Sequence, residues 1–129
     1  MTASQVKDNF GHRLIGNKFM KRMVISTLLL FPKSIVNKVS KHCWIISSFE
    51  DGWAFVLRGK DIANKDYVIF LSDELLGSNE AQIRYTIAHE IGHVILGHRN
   101  SIGRLQTKKE IKIQEKEAHI FVKKHFISF

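Results

Sequence analysis

Ala88-His89-Glu90-Ile91-Gly92-His93-Val94-Ile95-Leu96-Gly97-His98 is the stretch on which the reading of this chain turns. Its first half has the spacing H-E-x-x-H. On an α-helix each residue advances about 100°, so His89 and His93 lie roughly 40° apart and both imidazoles reach one ion. The carboxylate of Glu90 follows the first His directly and can poise an activated water beside that ion. The same spacing also occurs as a solvated His pair on an ordinary helix. Gly92 argues against that, because a mid-helix glycine costs about 0.5–1 kcal/mol unless a neighbour packs close against it.

The residues around the motif divide a helix into two faces. With Ile83 set at 0°, Ile87, Ile91 and Val94 fall at about 40°, 80° and 20°, whereas His89 and His93 fall near 240° and 280°. One face meets a core, and the nearly opposite face carries the ligands and needs cover from another element. The helix is expected over residues 80–98, capped by Ser78 or Asn79.

A catalytic zinc takes three protein ligands and leaves its fourth position to water. His98 invites a three-His reading, but H-E-x-x-H-x-x-G-x-x-H requires Gly at 96 and His at 99, where this chain has Leu96 and Arg99. The better donor lies in a last helix expected over residues 110–126, with Ile111, Ala118, Ile120, Phe121, Val122 and Phe126 as its apolar positions. Glu115 shares a face with Ile111, Ala118 and Val122, and the small Ala118 lets two helices approach. Glu117, turned about 200° away, is the alternative carboxylate. The metal set is therefore read as His89, His93 and Glu115, with Zn²⁺ as the ion and Glu90 as the catalytic base.

Ala88-His89-Glu90-Ile91-Gly92-His93, followed by Glu115-Lys116-Glu117-Ala118-His119-Ile120-Phe121, resembles the ImmA/IrrE-type zinc metallopeptidases and, more broadly, the gluzincins. The resemblance covers roughly residues 43–124 and is similar in scale to a minimal gluzincin. It implies a zincin-like domain that hydrolyses peptide bonds, with the Glu that opens the second motif as third ligand. Protein or peptide substrates are implied, transcriptional repressors among them. The family commonly has Asn or Asp where this chain has His119, so this ring orients a zinc-binding His or enters the metal shell itself. Tyr85, Tyr67, His119 and His125 are the candidate donors to a developing oxyanion.

Length and composition bound the rest. The chain of 129 residues reads as one domain. Its one cysteine, Cys43, excludes an internal disulfide framework and a Cys-rich structural zinc site. Residues 1–42 hold eight Lys or Arg against Asp8 alone, so nearly all of the net charge of +8 sits in the first third. A basic segment of this kind suits a solvated face, nucleic acid, an anionic membrane surface or an acidic partner. A DNA-associated regulator acting through this third and a non-catalytic zinc-stabilised interaction module are the alternatives to an enzyme. Residues 18–31 imitate a signal peptide but lack a small-x-small cleavage site, and the apolar run is too short to span a bilayer, so a cytoplasmic protein is expected.

The fold expected is α+β. Residues 1–17 read as a loose arm or capping segment, 18–42 as a basic helical segment broken at Pro32, and 43–129 as the catalytic core. Within the core, residues 43–49 and 53–58 pair as a hairpin around Asp51-Gly52, and residues 66–72 add a third strand. A small, partly antiparallel sheet of three strands is expected to pack with the H-E-x-x-H helix and the last helix.

Overall fold

Cys43-Trp44-Ile45-Ile46-Ser47 is apolar at four successive positions rather than alternating, the pattern of a strand covered on both faces. In the computed structural model, which describes residues 1–47, 67–97 and 107–125, this run is strand β2 (Cys43–Ser47) and all five residues are buried. Among the described residues it lies at the centre of a three-stranded sheet between β1 (Leu14–Ile15) and β3 (Tyr67–Leu71). Leu14 stands opposite Ile45, and β3 runs in register from Cys43 opposite Tyr67 to Ser47 opposite Leu71.

Both pairings among the described residues are parallel; the antiparallel part of the expected sheet rests on the strand at residues 53–58. Residues 14–15 add a strand that was not expected. The hairpin expected with residues 50–58 lies outside the described residues. Parallel neighbours need a crossover long enough to bring the chain back. Helices α2 (Lys18–Leu28) and α3 (Lys33–His42) supply it between β1 and β2.

Residues 1–17 are also not a loose arm. Thr2 and Gln5 form a capping box that starts helix α1 (Ala3–Phe10), each side chain accepting from the other residue's backbone N–H. Val6 and Phe10, one turn apart, are 0% and 1% exposed. Fully burying such side chains contributes about 1.5–3 kcal/mol each, enough to dock a short polar helix.

Pro32 ends the α2 segment as expected, but the last turn before it tightens. The backbone N–H groups of Leu30 and Phe31 bond to the carbonyls of Thr27 and Leu28, three residues back. Pro32 then stands at the N-cap of α3, whose Val36 and Val39 are buried. A short helix α4 (Asp73–Leu76) leads from the sheet to the two long helices α5 (Glu80–Ile95) and α6 (Lys108–His125). The described residues are 72% helical, so the sheet is a minor layer within a mainly helical body. No helix among them is long and apolar enough to cross a membrane.

Candidate metal centre

Helix α5 begins where the Asn79 side chain accepts a hydrogen bond from the Gln82 backbone at 2.8 Å. Ile83, Ile87, Ile91 and Val94 are at most 4% exposed and form its core face. The helix ends at Ile95, and Gly97 follows at φ +69, a left-handed conformation that glycine adopts without strain. The other side of α5 is covered by α6.

The two helices touch through small residues. A Cβ placed on Gly92 would stand 2.9 Å from Cδ1 of Phe121 and 3.6 Å from Cα of Ala118. The Phe121 ring is itself held against Phe31, 5.7 Å away and stacked at 22°. Gly92 and Ala118 thus allow the approach that a larger pair would prevent. Contacts pair Tyr85 with His119 and His89 with Glu115, stepping in opposite directions along the two helices, so α5 and α6 run antiparallel.

This packing brings His89, His93 and Glu115 together as a group able to hold a metal ion, their ligand atoms all within 4.8 Å of one another. His89 Nε2 lies 2.7 Å from one Glu115 oxygen, and His93 Nε2 lies 3.0 Å from the other. The two imidazoles meet edge to face at 4.8 Å. The His side chains are 15% and 18% exposed and Glu115 is 55% exposed, so the group is lined by protein on the α5 side and open on the α6 side. Two imidazole nitrogens and one carboxylate oxygen match the donor set of a catalytic zinc with its fourth position free. His89 Nδ1 is buried with no hydrogen-bond partner among the described residues, so this ring engages the group through Nε2.

Glu90 sits beside the triad in a mostly buried position. Burial pushes its carboxyl above the ordinary value, the nearby His89 opposes that, and the Glu115 charge adds to it. A carboxylate held in this way binds a proton more readily than a surface one.

The other sequence candidates separate cleanly. Glu117 is not part of the metal-binding group, and His98 lies outside the described residues. His125 packs against Phe121 and Phe31 at 4.6 and 5.7 Å, which places it in an aromatic cluster. Tyr67 packs on the core from β3. His119 is likewise outside the metal group; its Nδ1 lies 2.6 Å from the Tyr85 hydroxyl. That pairing escaped the sequence reading, although both residues stand one turn from a member of the group, Tyr85 four before His89 and His119 four after Glu115.

A cavity of about 350 Å³ between α1 and α3, lined by Met1, Gln5, Asn9, Lys33, Asn37 and Lys41, shares no residue with this group. In comparisons with known proteins, no family model, no curated protein and no solved structure matches the chain.

Proposed function

We propose that the chain is a zinc-dependent peptidase of gluzincin type. The observation that carries this reading is the convergence of His89, His93 and Glu115 from two helices, with the partly buried carboxylate of Glu90 next along the chain from His89. When bound, zinc supplies a Lewis acid that polarises a carbonyl and acidifies water toward neutral pH. Glu90 takes a proton from the attacking water and passes it to the leaving amine. His89 and His93 would hold the ion through Nε2, and Glu115 would complete the set with a carboxylate oxygen. One water is consumed per peptide bond, giving a carboxylate and an amine. The resemblance to ImmA/IrrE-type proteins points to regulatory proteins, repressors among them, as substrates.

The test compares bound zinc and proteolysis of candidate repressors for wild type and Glu90→Gln. Zinc should be retained and cleavage lost. A non-catalytic zinc-stabilised module would show no cleavage by either protein, and equal cleavage by both would reject the role given to Glu90.

A further inference from the structure

Three ligands carried by two helices demand a fixed slide as well as a fixed spacing. The contact of Gly92 with Ala118 and Phe121 sets the spacing. That interdigitation also resists sliding, but apolar packing has no preferred direction of its own. A slide of a single residue displaces Glu115 by about 1.5 Å, whereas ligand distances in a working metal site tolerate about 0.2 Å. A directional bond near the ligands fixes the slide more finely than packing alone.

Tyr85 and His119 provide one. The hydroxyl and Nδ1 are 2.6 Å apart, and the bond joins α5 to α6 one helical turn from His89 on one side and from Glu115 on the other. The Tyr85 ring also lies along the His89 ring, with centroids 6.1 Å apart and planes at 28°. We infer that Tyr85 and His119 act as one positioning unit, fixing the slide of α6 on α5 and the orientation of His89 so that the three metal-binding side chains are preorganised. This rests on the proposed reading of the triad as a metal site.

Zinc affinity, measured by competition with a chromophoric chelator, tests it alongside the melting temperature of the metal-free proteins and the visible spectrum of their cobalt forms. Tyr85→Phe keeps the ring and removes only the hydroxyl. Tyr85→Phe and His119→Ala should each weaken zinc binding by about tenfold, the low end of what is lost with a group bonded directly to a ligand, because this pair acts one contact further out. The double variant should be no worse than either single one, because both remove the same bond. His119→Asn should retain affinity, since its amide places a hydrogen-bonding atom near the position of Nδ1. The cobalt spectrum should change in Tyr85→Phe and His119→Ala and not in His119→Asn.

Affinity within about twofold of wild type in Tyr85→Phe, additive losses in the double variant, or equal losses in His119→Asn and His119→Ala would each overturn the inference. So would losses that follow metal-free melting temperature alone, which mark a purely structural contact. Wild-type protein that binds no zinc would instead remove the reading on which the inference rests.

Discussion

Glu90 is where burial and chemistry meet most directly. Its carboxyl is raised by burial, with His89 opposing and Glu115 adding to the effect. A carboxyl that holds its proton more tightly in the folded chain than in the unfolded one favours folding most when protonated. That advantage is complete below the ordinary carboxylate value and is lost as pH rises through the folded value. Gln at position 90 is uncharged throughout. Metal-free Glu90→Gln is therefore expected to match wild type in acid and to be the more stable protein above the raised value. Urea unfolding in chelator between about pH 4 and about pH 8 checks this, and a constant difference at every pH would contradict it. At this scale the motif was legible because His89, Glu90 and His93 are placed by the geometry of one helix. The bond between Tyr85 and His119 was not, because it depends on how two helices slide.

At the scale of the element, α5 and α6 meet because Gly92 offers no side chain where Phe121 and Ala118 press in. Gly92→Val should push the helices apart against a ring already held by Phe31. We expect a loss of about 1–3 kcal/mol in stability from overpacking, together with weakened zinc binding because Glu115 is carried away from the His pair. Unchanged stability and zinc affinity in calorimetry would show that the close approach is not needed. The faces of α5 were legible down to Ile83, Ile87, Ile91 and Val94, all buried, since a 3.6-residue period is written into the sequence. On α6 the same reasoning succeeded for Ala118, Phe121 and Val122 and failed for Ile111 and Ile120, which are 43% and 55% exposed. Helix α1 was missed because only Val6 and Phe10 mark its buried side, although the Thr2 and Gln5 capping box was there to be read.

Across the whole molecule, the proposed ion would tie α5 to α6 and so act on folding as well as on chemistry. A ligand that binds only the folded chain stabilises it by about 2.7 kcal/mol at a hundredfold excess over its Kd. Zinc should raise the melting temperature of wild type, chelator should reverse the rise, and His93→Ala should abolish it. A wild-type melting temperature indifferent to zinc would count against the metal centre. The sheet shows the reverse balance between sequence and tertiary context. The strand residues 43–47 and 67–71 were recognised from their apolar runs, but the parallel pairing and the recruitment of Leu14–Ile15 were not.

The sequence by itself determined what is local: the helix that carries His89, Glu90 and His93, the face assigned to Glu115, the small residues at the helix contact and the principal strands. These follow from dihedral periods and side-chain size, which act between residues a few positions apart. Tertiary structure alone decided the direction of the sheet, the burial of α1 and the meeting of Tyr85 with His119. Each depends on long-range packing, in which a segment's apolar face is satisfied by whichever distant surface lies against it, and no local period records that choice.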